Sequence, residues 1–196
     1  LDFDFSATGY ALCIIDSQAS HADLTDEYAA IPVEMKAIAA CFGKEVLSEV
    51  PEQEFYGVIP LLRQKCGDRA VLRAFHFYQE NRRVPQACEA LRRGDFDGFL
   101  SVIRQSGASS YMYLQNVSPA GAVEKQEMAV TLALCEHYLD GAGAYRVHGG
   151  GFAGTCQAFV PMERLEAFRE GIDGVLGKGA CHVLSIRQPG GVEVVE

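Results

Sequence analysis

The sequence predicts an α+β or α/β fold in one domain, and three observations carry that reading. Apolar runs of strand-forming residues stand near both ends of the 196 residues, while the middle repeats its apolar residues at helical spacing. The composition, 48% apolar and 22% charged, is that of a globular protein, and the length is enough to bury a sizeable core. No internal repeat or flexible linker divides the chain. Strands so distributed around helices are expected to pair in mixed directions.

Residues 9–16, Gly-Tyr-Ala-Leu-Cys-Ile-Ile-Asp, read as a buried strand. Asp23, Asp26 and Glu27 then suit a helix N-terminus, where negative charge meets the positive end of the dipole. Ile31, Met35, Ile38, Ala39 and Phe42 continue at helical spacing to Gly43, a C-terminal stop, and Pro32 predicts a kink or a fresh start inside that pattern. Asp68 caps a predicted helix that runs to about Val84, where Pro85 interrupts it. Residues 86–93 form a shorter helix closed by Gly94, and Phe96, Phe99, Leu100 and Ile103 mark the next. Residues 106–122, rich in Ser, Gly, Tyr and Pro, read as a long connection. Glu124 to Leu139 is helical, with Met128, Leu132, Cys135 and Leu139 as its stripe. Strands are predicted at Ala144–Val147 and Cys156–Val160. Pro161 stands as the N1 proline of a helix striped by Leu165, Phe168, Ile172 and Leu176. Cys181–Ile186 is a further strand, and Gly190-Gly191 turns into Val192–Val195.

Seventeen basic against 26 acidic residues give a formal charge of −9, which repels phosphate backbones and argues against nucleic acid as a partner. A small phosphorylated ligand held by backbone N–H groups stays compatible, because such a site is local. The strongest apolar runs, such as Tyr10 to Ile15, are too short to span a bilayer. The seven cysteines form no Cys-x-x-Cys pair, and most lie in apolar segments, so reduced core thiols in the cytoplasm are expected. The chain opens Leu-Asp-Phe-Asp, with neither a basic n-region nor an initiator Met, and is expected to be a piece of something longer.

The most informative stretch is Arg146-Val147-His148-Gly149-Gly150-Gly151-Phe152-Ala153-Gly154. Four glycines in six residues between two strands are costly unless the backbone takes φ > 0 or approaches something closely. The backbone N–H groups of such a turn can hold an anion; equally, the loop can be a tight strand connection. No Gly-Lys-Ser/Thr follows, so it is not a P-loop, and the next element is a strand, which excludes a dinucleotide fingerprint.

That loop, with its apolar strand, Val-Pro and amphipathic helix, resembles the third motif of the GHMP small-molecule kinases, in the galactokinase branch. The resemblance covers nearly the whole chain. ALCIIDSQASHADLTDEY is similar to the galactokinase strand ending in Asn/Ser-x-x-x-His that leads to a Glu-Tyr pair. RAFHFYQENRRV resembles the family's Arg-x-x-His…Glu-Asn…Arg-Val helix, and ALRRGDFDGF its Ala-Leu…Gly-Asp…Phe segment. The resemblance implies an α+β fold, the GHMP-kinase C-terminal domain: a ferredoxin-like antiparallel sheet with helices packed on one face plus additional helices. It implies that residues 1–196 are the C-terminal domain of a galactokinase-like enzyme, with the N-terminal catalytic half absent. The family's first motif, its Ser-rich phosphate loop and its catalytic Asp have no counterpart here, so no catalytic residue is assigned and the fragment alone is expected to be inactive.

Tyr28 matches the tyrosine that contacts the sugar from this domain, offering a ring face and an O–H. Gly149, Gly150, Gly151, Phe152, Ala153 and Gly154 match the loop that lies against the sugar and the transferred phosphate. The implied reaction moves the ATP γ-phosphate to the anomeric hydroxyl of galactose or a related hexose. ATP and Mg²⁺ serve the intact enzyme, and neither is expected on the fragment alone. A non-catalytic sugar-sensing or partner-binding paralogue, or a GHMP kinase for another sugar or small alcohol, is the alternative. The partners expected are the sugar and the missing N-terminal half, with no nucleic acid and no membrane. An exposed apolar face toward that half would make the fragment self-associate. Two departures stand out: Ala29-Ala30-Ile31-Pro32 replaces the family's Asn and Arg after the Glu-Tyr pair, and SSYMYLQNVSP lacks its Asp-Tyr-Glu-Val-Ser pattern.

The remaining constellations read as structural. His21, His76, His137, His148 and His182 show no zinc spacing, since Cys135 and His137 diverge on a helix and Cys181 and His182 alternate on a strand, so no metal site is expected. His148 reads as a support for the loop backbone, Arg82-Arg83 and Arg92-Arg93 as solvated helix ends, and Ser109-Ser110 as loop residues.

Overall fold

The structure is a computed structural model that describes residues 3–20 and 22–186. His21 and the Gly190-Gly191 turn with its strand at 192–195 lie outside the described residues. Four strands, β1 (Tyr10–Asp16), β2 (Ala144–His148), β3 (Thr155–Pro161) and β4 (Cys181–Leu184), form one sheet in the order β2-β3-β1-β4. The helices are α1 (Thr25–Ala40), α2 (Glu52–Gly57), α3 (Ile59–Cys66), α4 (Asp68–Arg92), α5 (Phe96–Ser109), α6 (Glu127–Leu139) and α7 (Leu165–Leu176).

Every pairing is antiparallel, which corrects the mixed directions expected. The helical crossovers do join parallel strands, β1 to β2 and β3 to β4. In each case another strand inserts between the two, so no parallel neighbours touch. This is the ferredoxin-like arrangement. The period-2 burial of β1 sets the layers. Ala11, Cys13 and Ile15 join Ala158 and Val160 of β3 under α6 and α7, through Cys135, Leu139, Phe168 and Ile172. The opposite face, from Tyr10, Leu12, Ala144 and Phe159, is covered near β2 by α5 and Phe5, with Phe96, Phe99, Leu100 and Ile103. A separate helical core lies in α1–α4, around Ile38, Leu47, Val50, Phe55, Leu62, Val71 and Tyr78.

Several expectations needed correction. The helix at Asp68 runs unbroken through Pro85 to Arg92. Pro85 is exposed, and so is Asn81, whose carbonyl it leaves without a helical donor; water can take that carbonyl. Arg83 spans this turn, bonding Glu80 (2.6 Å) and Gln79 (2.7 Å). Arg82-Arg83 is therefore mid-helix rather than at a helix end. Pro32 is likewise exposed within a continuous α1. Asp68 is the first residue of α4 and pairs with Arg63 instead of capping. Pro161 ends β3, and a 3₁₀ turn at Met162–Arg164 separates it from α7. The long connection expected from residue 106 begins only after α5 has run to Ser109 and a π-helical turn to Leu114.

The thiols also divide. Cys13, Cys135, Cys156 and Cys181 are core residues, but Cys41 is exposed and Cys66 and Cys88 are half-buried.

Candidate functional site

At one end of the sheet, β1 stops at Asp16 and the β2–β3 hairpin turns through the glycine loop. Ser17 ties the two together: its N–H (2.9 Å) and its hydroxyl (2.6 Å) both donate to the Gly154 carbonyl. Gly149, Gly151 and Gly154 take φ of +80°, +84° and +83°, and Phe152 stands at +58°. A non-glycine residue in that region is strained, and here its ring is buried beside Leu24 and Ala153.

The loop is braced from two directions. Tyr28, near the start of α1, donates its O–H to the Gly151 carbonyl (2.7 Å) and sets its ring edge-on to Phe152, with centroids 5.4 Å apart. Burial pushes the Tyr28 phenol up from its usual value. From the other side comes Asn116, 2% exposed, which follows the left-handed Gln115. Its backbone carbonyl accepts from Phe152 N–H (2.5 Å) and its Nδ2 donates to the Gly150 carbonyl (3.0 Å). Its Oδ1 is buried without a partner among the described residues.

These braces account for the glycines. A Cβ on Gly151 would lie 2.0 Å from the Asn116 carbonyl oxygen, and one on Gly150 3.0 Å from the Tyr28 ring. The close approach that the sequence demanded is therefore made first to the protein itself. Gly149 has open space where its Cβ would be, so the loop's outer edge is bare.

Behind Asn116 lies a buried polar layer. Arg73 of α4, fully buried, donates from Nε to the Leu114 carbonyl (3.1 Å). Its Nη1 stands 2.9 Å from Glu34 Oε2 as an ion pair, off the direction needed for a hydrogen bond. Burial pulls the Arg73 guanidinium below its ordinary value, and Glu34 opposes this. Glu34 also takes Arg69 at 2.6 Å. Further along α4, His76 Nδ1 meets Ser109 Oγ at 3.0 Å, and Glu80 accepts from Ser106 Oγ at 2.7 Å. Burial works to raise the Glu80 carboxyl, but the Ser106 hydroxyl and the Arg83 guanidinium outweigh it and hold the carboxyl low.

The structure places Tyr28 against the loop 149–154, at Gly150, Gly151 and Phe152. The helix motif Arg73, His76 and Glu80 does not reach the loop; it braces α5 and the turn that delivers Asn116. Ser109 and Ser110 are buried helix-end residues rather than loop residues. His148 is exposed and bonds the Gln157 side chain across the hairpin at 3.0 Å, not the loop backbone. Sequence reasoning missed Asn116 and the anchoring role of Ser17. Asn116 lies in the segment that departs from the family pattern, so nothing local marked it. A cavity of about 490 Å³ between α5, α6 and β2, lined by Gly107, Tyr111, Leu132 and Tyr145 among others, includes none of these loop residues.

Among the described residues, no helix is long and apolar enough to cross a membrane. No protein-family model matches the chain. It is 30% identical to the galactokinase of Mannheimia succiniciproducens over 160 residues, 82% of this chain and 40% of that protein. It is also 30% identical to the galactokinase of Glaesserella parasuis over 162 residues, 83% and 40% of the two chains. It therefore spans about two fifths of the length of these relatives. Among solved structures it resembles the Lactococcus lactis galactokinase complexed with galactose (TM-score 0.66, 24% identity, 89% of this chain and 45% of that one). It also resembles L. major mevalonate kinase in complex with R-mevalonate (TM-score 0.51, 15% identity, 89% and 41%).

Proposed function

We propose that this chain, a galactokinase homologue with the GHMP kinase fold, is the C-terminal domain of a cytoplasmic sugar kinase that transfers the ATP γ-phosphate to the anomeric hydroxyl of galactose. The observation that carries the reading is the unit of Tyr28 and the glycine loop, in a chain 30% identical to galactokinases over four fifths of its length. Tyr28 commits its hydrogen to the Gly151 carbonyl, so a sugar hydroxyl meeting this oxygen would donate to it. The loop carries no side chain at Gly149, so a ligand can approach the backbone there.

Such a loop positions a substrate; it supplies neither base nor nucleophile. ATP would supply the phosphoryl group, and Mg²⁺ would neutralise the charge on it. Among the described residues no group of three or more His, Cys, Asp or Glu side chains could hold a metal ion. ATP and Mg²⁺ would be held by an N-terminal half outside these 196 residues.

The test is ATP turnover. The purified 196 residues are expected to show no galactose-dependent ADP release, and such release would overturn the assignment of catalysis to another half. The complete protein should turn over galactose. Turnover confined to a different sugar or small alcohol would replace the substrate, and sugar binding without turnover would make the protein a sensor. Leu184, 47% exposed beside Leu12 across the β1–β4 pair, and Ile186, 49% exposed, give the separate domain an apolar face. Light scattering should show concentration-dependent association of the 196 residues; a monomer at all concentrations would refute it.

A further inference from the structure

Two of the three thiols that are not fully buried lie side by side. Cys41 follows the last turn of α1 and is exposed; Cys66 is the last residue of α3 and is half-buried. Their sulfurs are 3.6 Å apart, and each also approaches the Ala37 carbonyl, at 3.5 and 3.6 Å. A disulfide closes to about 2.05 Å, so the sulfurs must move together by about 1.5 Å. Both residues sit at helix ends, and Gly67 at φ +84° follows Cys66, so a small adjustment there does not break a helix interior. Cys88 has no sulfur contact of this kind among the described residues, and the four core thiols are closed to reagents.

We infer that Cys41 and Cys66 form a redox-active dithiol that closes to a reversible disulfide by exchange with a small-molecule disulfide. The exposed Cys41 gives up its proton, and its thiolate attacks one sulfur of the reagent; the reagent S–S bond breaks, a mixed disulfide forms, and one small thiolate leaves. Cys66, as thiolate, then attacks Cys41 Sγ; the protein S–S bond forms, the mixed disulfide breaks, and the second small thiolate leaves. The two protein thiols are oxidised by two electrons, and the reagent is reduced to two thiols that take up the two protons. Burial, with Cys41 adjacent, pushes the Cys66 thiol up, which disfavours it as the thiolate of the first attack.

The bond would tie the end of α1 to the end of α3 across 25 residues, closing a loop that contains Leu47, Val50, Phe55 and Leu62 of the helical core. Constraining a loop of that size in the unfolded chain raises the melting temperature, here by roughly 5–10 °C.

The 196-residue chain is incubated with oxidised and reduced glutathione, quenched with acid, digested with pepsin and mapped by mass spectrometry. The expected result is a Cys41–Cys66 cross-linked peptide, a raised melting temperature, and reversal of both by dithiothreitol. Cys88→Ser should keep the cross-link. Cys41→Ser and Cys66→Ser should abolish it, Cys66→Ser leaving glutathione on Cys41. Wild-type protein that carries glutathione on Cys41 at equilibrium without the internal cross-link, or a cross-link to Cys88 instead, would overturn the inference.

Discussion

Gly151→Ala probes the contact on which the loop is built. Two effects separate cleanly. The first is conformational: at φ +84°, an alanine is strained by roughly 1–2 kcal/mol. The second is steric. The new methyl would fall 2.0 Å from the Asn116 carbonyl oxygen, so loop and turn must part by about 1 Å or more. Two hydrogen bonds cross that gap, Phe152 N–H to the Asn116 carbonyl and Asn116 Nδ2 to the Gly150 carbonyl. Stretching both, each worth about 0.5–1.5 kcal/mol, brings the total to roughly 2–5 kcal/mol. Gly149→Ala is the internal control, with a similar φ of +80° and nothing within 4 Å of its Cβ, so it should lose only the conformational part. Urea unfolding of the 196-residue chain, followed by far-ultraviolet circular dichroism, gives both values on one scale. Adding Asn116→Ala removes the side-chain part of the clash, at 2.5 and 2.8 Å, but should not fully rescue Gly151→Ala, because the nearest obstacle is the backbone oxygen. Equal losses for Gly149→Ala and Gly151→Ala, within about 0.5 kcal/mol, would show that the Asn116 contact carries no energy.

At Gly150, φ is not in the left-handed region, so Gly150→Val acts through the Tyr28 ring; in the complete enzyme it should lower kcat/KM far more than it lowers the melting temperature, and near-normal kcat/KM would misplace the loop. Tyr28→Phe removes the bond to the Gly151 carbonyl and should destabilise the chain by about 0.5–1.5 kcal/mol, with up to about tenfold loss in kcat/KM, checked by urea unfolding and steady-state kinetics. Burial holds the His76 imidazole below its ordinary 6.5, with Glu80 opposing and Arg146 and Arg83 assisting. As pH falls through 6.5 the unfolded chain therefore gains a proton that the folded chain refuses, so stability is full above that pH and is lost below it. Thermal melts from pH 8 to 5 should show this loss, and His76→Gln should flatten it.

The sheet and most long helices were legible because their apolar residues recur at periods of two or 3.6 over enough residues. Residues 44–67 were not: Leu47, Phe55 and Leu62 are buried from three pieces each too short to display a period. The helical stretch 106–114 was hidden by its composition. Ser106 and Ser109 are buried because Glu80 and His76 of another helix are their hydrogen-bond partners. Gly107 is there because α5 runs close against β2: a Cβ would meet the Tyr145 carbonyl at 2.9 Å. Such partners are distant in sequence, so Ser and Gly looked like a connection. The same holds at the site. Tyr28 and the loop were found through local motifs, whereas Asn116 owes its role to where the π-helical turn delivers it.

Arg73 joins the two braces of the loop without touching the loop. Its Nη1 faces Glu34 on α1, the helix that carries Tyr28, and its Nε holds the Leu114 carbonyl, just before Asn116. One planar, fully buried guanidinium thereby fixes the distance between the helix on one side of the loop and the turn on the other. A lysine is a point donor on a flexible stem and cannot hold both directions at once. In Arg73→Lys the ammonium should stay with Glu34, where its buried charge is compensated, and the Leu114 carbonyl should lose its donor, for a loss of about 1–3 kcal/mol. The local consequence is distinct from that global loss. With the turn released, Phe152 N–H no longer faces a fixed Asn116 carbonyl, and its hydrogen exchange should quicken by more than the drop in global stability accounts for. Amides in the β1–β3 ladder should follow the global loss alone. If Phe152 exchange quickens by no more than that of those ladder amides, Arg73 stabilises the core without positioning the loop.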